Sequence, residues 1–142
     1  MSVSGGVNDF VVRFANVNGT GSASANTMFA KAIFRMGVPV SAKNIFPSNI
    51  QGLPTWYEVR VNGDGYIGRR EGINLMVSVN PQSIEQDLKN TMSGGYFMYD
   101  STWPLPHDKR REDLHYLEIP LMEMSNKHFS EPRLRQLFKN II

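Results

Sequence analysis

The chain has 142 residues, no cysteine and a formal net charge of +2. Such a length accommodates one domain with a real core. The small charge gives no ground for nucleic-acid or membrane-surface binding, and no apolar run reaches the roughly 18 residues that span a bilayer. Without cysteine the chain offers no disulfide, no thiol nucleophile and no thiolate for an iron–sulfur cluster.

Residues 1–8 are polar and glycine-containing and read as a flexible N-terminus. They lack a basic start and an apolar core, which argues against a secretory signal and for the cytoplasm. Phe10–Val17 is rich in β-branched and aromatic residues, as a buried strand is. Asn18-Gly19-Thr20-Gly21-Ser22 makes a sharp turn, and Ala25, Met28, Phe29, Ala32, Ile33 and Met36 then recur at helical spacing until Gly37. Strand, glycine turn and helix form the first half of a βαβ unit, and the amides opening such a helix are a ready anion site.

Val38–Ala42 predicts a second strand, confined by Pro39 to a strand start or a sheet edge. Pro47–Pro54 is a loop, with amides at Asn49 and Gln51 and free backbone at Gly52. Thr55–Val61 alternates as a strand. Asn62-Gly63-Asp64-Gly65 reads as a hairpin turn, with Tyr66–Arg69 as the short returning strand. Ile73–Val79 is another buried strand. Pro81 opens a helix carrying Ile84 and Leu88, ended by Gly94-Gly95, and Tyr96–Tyr99 follows as a strand. Asp108–Asp113 is a charge cluster expected on the solvated surface. His115–Ile119 is the last strand. A helix begins near Met122, and Ser130 with Pro132 starts another, with a stripe of Leu134, Leu137, Phe138 and Ile141. Strands alternating with helices predict an α/β open sheet with flanking helices and a β-hairpin insertion.

Gly19-Thr20-Gly21 lacks the third glycine of a dinucleotide turn, and no carboxylate stands between Val38 and Phe46 for a ribose. No P-loop lysine follows either. The turn serves either packing alone or contact with an anion or acyl carrier. His107, His115 and His128 have no metal spacing, and no serine sits in a nucleophile elbow, so neither a catalytic residue nor a metal site is expected. The 47–54 loop is either a surface crossover or faces a ligand or partner.

Three runs carry a resemblance. Phe14-Ala-Asn-Val-Asn-Gly-Thr-Gly-Ser-Ala-Ser-Ala-Asn26, Ile45-Phe-Pro-Ser-Asn-Ile-Gln-Gly-Leu-Pro-Thr-Trp-Tyr57 and Glu58-Val-Arg-Val61 closely resemble the gamma domain of 2-oxoacid:acceptor oxidoreductases. The likeness is above all to the version fused ahead of the alpha domain in 2-oxoglutarate:ferredoxin oxidoreductases, and it covers residues 9–142. It implies a Rossmann-like module in an enzyme that oxidatively decarboxylates a 2-oxoacid with coenzyme A, giving acyl-CoA and carbon dioxide and passing electrons to ferredoxin. It implies that thiamine diphosphate, magnesium and the 4Fe–4S cluster are held by the alpha domain and the beta subunit, so that this chain alone is inactive. The gamma domain then helps shape the assembly and the coenzyme A region. Gly19, Gly21, Ser22 and Asn26 are the candidates for anion or acyl-carrier contact, and Asn49, Gln51 and Gly52 for contact with the active-site assembly. Many family members carry Gly-x-Gly-Gly-x-Gly where this chain has Asn18-Gly-Thr-Gly-Ser-Ala23. The family domain usually runs on for some tens of residues, so a longer natural chain is expected. A stand-alone nucleotide- or coenzyme A-binding module is the alternative reading, and a purely structural interaction domain a third.

Overall fold

Among the described residues six strands make one mixed sheet: β1 (Asp9–Val17), β2 (Val40–Ile45), β3 (Pro54–Asn62), β4 (Ile73–Ser78), β5 (Thr91–Asp100) and β6 (His115–Ile119). The computed structural model describes residues 7–17, 20–46 and 53–142. The order is β2-β3-β1-β4-β5-β6. β3 runs antiparallel to both β2 and β1, whereas β1, β4, β5 and β6 run parallel. Four helices flank it: α1 (Ser22–Arg35), α2 (Ile84–Asn90), α3 (Leu121–His128) and α4 (Pro132–Lys139). None of the described helices is long and apolar enough to cross a membrane.

Alternate residues of each strand point to opposite faces, and each face has its own core. α1 packs Ala30 and Ile33 on Tyr57, Val59, Val61, Phe10 and Phe14. α2 packs Leu88 and Ile84 on the other face, against Val11, Met76, Phe97 and Tyr99, with Leu105 and Leu114 from the β5–β6 connection. Consecutive helices therefore leave the parallel neighbours β1 and β4 for opposite sides of the sheet.

The α2 core contains one buried carboxylate. Asp87 is fully buried and accepts hydrogen bonds from Trp56 Nε1 at 2.7 Å, Ser78 Oγ at 2.6 Å and Ser83 Oγ at 2.8 Å. Trp56 on β3 and Ser78 on β4 both lie in register with Ala15 on the intervening β1. The small Ala15 side chain leaves room for the carboxylate to bridge across it. Burial pushes the Asp87 carboxyl above its ordinary value, and the three donors offset this only in part.

Several expectations are corrected. Tyr66–Arg69 is not a strand, because both edges of β3 are already taken by β2 and β1. The hairpin of this fold is the antiparallel pair β2–β3 instead. Asn62 ends β3 by accepting the amides of Asp64 and Tyr66 on its side chain, both at 3.0 Å. β5 starts at Thr91 rather than Tyr96, and the two glycines sit inside it, where the pairing with β4 shifts register. A Cβ on Gly95 would lie 2.8 Å from the Met92 carbonyl oxygen, so that bulge needs glycine. Ser130 does not cap α4; Glu131 holds that position without a side-chain cap.

The charge cluster is only partly solvated. Arg110 lies over the rings of Tyr99 and Tyr116, 5.8 Å and 5.3 Å from their centroids. Arg111 donates to the carbonyls of Leu88 and Thr91 and so closes the carboxyl end of α2. The apolar repeat of α1 is the largest departure: Ile33 packs as expected, but Met28, Phe29 and Met36 are exposed, and Ala30, outside the repeat, is seated in their place.

Replacing Asp87 with alanine leaves three buried donors unpaired and is expected to cost about 3 kcal/mol in urea unfolding. Asp87→Asn, which keeps an acceptor oxygen, should cost less. Because the folded carboxyl is raised, its contribution to stability is greatest below the unfolded value of about 3.9 and is lost as pH rises through the folded one. The Asn variant should lack that pH-dependent loss.

Candidate functional site

The glycine turn delivers the chain from β1 into α1. Gly21 stands at the helix N-cap with φ 80°, a left-handed backbone that strains any other residue. Among the described residues no side chain caps the helix, and its first turn carries no acidic residue. The opening amides of α1 thus face their surroundings with the positive end of the helix dipole and no built-in anion.

Beside them lies a recess of about 250 Å³, between α1 and the carboxyl end of β2 with the start of β3. Ser22, Asn26, Asn16, Asn44, Thr55 and Phe46 line it. Asn26 is the informative member. It is 5% exposed, and among the described residues its Nδ2 has no hydrogen-bond partner. A buried amide N–H without an acceptor costs about 1–3 kcal/mol, so it calls for an acceptor from outside these residues.

The other side of the turn faces α4. An open α/β sheet binds ligands where consecutive helices diverge, here between the carboxyl ends of β1 and β4. α4 lies across that place and leaves a recess of about 210 Å³ lined by Val17, Thr20, Val79, Pro81 and Asn140. Leu137 lies against Gly21, with its Cδ1 3.1 Å from where a Cβ would stand, and Asn140 Nδ2 donates to the Thr20 carbonyl at 3.0 Å. Lys139 Nζ is 3.1 Å from Asp100 Oδ2 in a buried ion pair whose alignment is poor for a hydrogen bond. Burial alone would raise the Asp100 carboxyl, but the Thr102 and Lys139 contacts outweigh it and hold the group below its ordinary range. Asn80 fastens the strand ends below. Its Nδ2 donates to the Asn16 carbonyl at 3.2 Å, while its Oδ1 accepts the Gln82 amide at 3.0 Å.

Of the sequence-predicted residues, Gly21, Ser22 and Asn26 come together at this recess. Gly19, Asn49, Gln51 and Gly52 lie outside the described residues. Phe46 and Thr55, near the two ends of the 47–52 stretch, line the same recess. Sequence reasoning passed over Asn16, Asn44 and Thr55. Their signal was strand alternation: all three share the face that carries Phe14 and Tyr57. Leu137, Lys139 and Asp100 gave no local signal, because α4 meets the turn across more than a hundred residues of chain. Among the described residues no cluster of histidine and carboxylate side chains is suited to a metal ion.

A match to the Pyruvate ferredoxin/flavodoxin oxidoreductase family runs over residues 11–142. No relative is found among the curated proteins. Among solved structures, the chain is similar to the 2-oxoglutarate:ferredoxin oxidoreductase from Magnetococcus marinus, solved with 2-oxoglutarate, coenzyme A and succinyl-CoA bound. The TM-score is 0.77 at 25% identity, over 91% of this chain and 23% of that one. This chain therefore spans about a quarter of that relative. The gamma subunit of a keto/oxoacid ferredoxin oxidoreductase from Geobacter sulfurreducens matches with TM-score 0.70 at 14% identity, over 92% of this chain and 70% of that one. Pyruvate oxidoreductase subunit PORC from Thermotoga maritima matches with TM-score 0.63 at 13% identity, over 94% and 93%. These last two share the fold.

Gly21→Ala is expected to lower stability by about 1–2 kcal/mol from the left-handed backbone alone. The Leu137 contact adds to this. Leu137→Ala in the same background should recover only the steric part, read by thermal or urea unfolding.

Proposed function

Because the chain belongs to the Pyruvate ferredoxin/flavodoxin oxidoreductase family, we propose that it is the gamma domain of a thiamine-dependent 2-oxoacid:ferredoxin oxidoreductase, with 2-oxoglutarate as substrate. The complex decarboxylates the 2-oxoacid, transfers the acyl group to coenzyme A and passes the electrons to ferredoxin. The likeness to the Magnetococcus marinus enzyme supports the choice of substrate.

This chain has no cysteine to hold a cluster. In this reading the cluster, thiamine diphosphate and magnesium belong to the alpha and beta parts, and no step of the chemistry runs on this domain. Its role is to bind and orient. The observation that carries the reading is the unpaired, buried Asn26 amide beside the uncapped start of α1. Both are donors, so they fit a ligand group rich in acceptor oxygens, as the phosphates and carbonyls of coenzyme A are. Coenzyme A supplies the thiol that takes up the acyl group. The recess is smaller than the roughly 300–1,000 Å³ of a whole-ligand pocket. It takes one oxygen-bearing group and leaves the rest of the carrier to the alpha and beta parts. Gly21 and Ser22 bring the helix amides to that group. In this proposal Gly19 shares the contact with that group, and Asn49, Gln51 and Gly52 contact the active-site assembly.

In the assembled oxidoreductase, Asn26→Leu is expected to raise KM for coenzyme A about tenfold, the equivalent of one lost hydrogen bond of ~1.4 kcal/mol. KM for the 2-oxoacid should not move. An unchanged coenzyme A KM, or an equal change for both substrates, contradicts the assignment.

A further inference from the structure

The recess beside the start of α1 is built without a charged side chain. One residue in five of the chain is charged, yet residues 14–30 and 44–57, the two runs that supply the whole lining, carry no charge. Lys43, just before the second run, stands in register with Glu58 and so on the face opposite Asn44 and Tyr57. Asn26 also lines the trough between α1 and residues 139–142. Among the described residues the one cation on that lining is Lys139, which is committed to Asp100 at 3.1 Å. What the recess offers instead is amide, hydroxyl and ring. Asn16, Asn44, Ser22 and Thr55 each carry both a donor and an acceptor, and Phe46, Trp56 and Tyr57 add aromatic surface. The Asn26 Nδ2, buried and without an acceptor among the described residues, is the donor that waits for a partner.

Coenzyme A has two kinds of oxygen to give such a site. Its phosphates are anions, whereas its pantetheine arm carries neutral amides set between methylene and methyl groups. An anion entering a recess without a cation gives up its water and gains little in return. The open end of α1 amounts to roughly half an elementary charge, against about 1.5–2 on a phosphate monoester. A neutral amide loses far less on entry, and it brings a donor as well as an acceptor to a lining that holds both. We infer that the recess takes an amide of the pantetheine arm, and that the phosphates of coenzyme A bind elsewhere in the assembly. The amide carbonyl accepts the Asn26 N–H, the amide N–H turns to a neighbouring side-chain oxygen, and the flanking carbons lie on the rings. A recess of about 250 Å³ suits one amide with those carbons. The carboxylates of a 2-oxoacid are excluded on the same ground as the phosphates. The inference rests on the coenzyme A reading above and names the group that reading leaves open.

The test uses the assembled oxidoreductase, with and without Asn26→Leu, and two fragments of the carrier. Pantetheine keeps the amides and lacks the nucleotide; adenosine 3′,5′-bisphosphate keeps phosphates and lacks the amides. Each is read by its competition with coenzyme A. Asn26→Leu should weaken pantetheine about tenfold, as it does coenzyme A, and leave the bisphosphate inhibition constant where it was. A raised bisphosphate constant, or an unmoved pantetheine constant, would overturn the inference while leaving the coenzyme A assignment standing. A coenzyme A KM that does not move contradicts that assignment, and the inference falls with it. Asn44→Lys, at an exposed residue of the lining, supplies a second reading through its sign. With an amide in the recess, the added cation should leave the coenzyme A KM unchanged or raise it. A several-fold fall in that KM would reveal a phosphate there and overturn the inference.

Discussion

The site depends on the place where β1 and β4 end side by side and their chains leave for opposite faces. Two hydrogen bonds hold it: Val79 N–H to the Ala15 carbonyl at 3.3 Å and Asn80 Nδ2 to the Asn16 carbonyl at 3.2 Å. With the strand ends pinned, the Gly21 turn must swing α1 to one side while the 3-10 turn at Pro81–Ser83 sends α2 to the other. Behind this junction Asp87 joins β3 and β4 across Ala15, so the width of the sheet is fixed where the turn begins. A buried carboxylate is a costly tie. Three donors make it tolerable, and they also prescribe the separation of the strands that carry them.

The position of α4 then shapes the space on the far side of the turn. In a dinucleotide-binding sheet the diverging-helix crevice is the binding place. Here Leu137 and Asn140 narrow it, anchored by Lys139 on Asp100. Asn26, whose Nδ2 is left unpaired, lines both the recess toward β2 and β3 and the trough between α1 and residues 139–142. The missing third glycine and the missing ribose carboxylate agree with this: the crevice they would serve is narrowed by α4.

Much of the fold was legible from local pattern. The strand–glycine turn–helix of residues 10–36, the helix start at Pro81 and the final strand are each set by residues near one another in sequence. The strand direction of β3 was not, because pairing across a sheet leaves no mark in a single strand. Tyr66–Arg69 has a plausible turn before it but no free edge to join. The exposed face of α1 was misread for a related reason. Periodicity reports that a face is apolar, and it does not say whether the covering partner lies within the same chain. Asn26 could be proposed from its place one turn into the helix, while its lack of an acceptor became visible only with its neighbours in place.

The central claim is that the amino end of α1 and the Asn26 amide receive an oxygen-bearing group of coenzyme A in the assembled enzyme. A structure of the complete oxidoreductase with coenzyme A bound tests it most directly. An oxygen of coenzyme A is expected about 2.7–3.2 Å from Asn26 Nδ2, within hydrogen-bond reach. Coenzyme A seated elsewhere, with the Asn26 amide satisfied by protein, would contradict it.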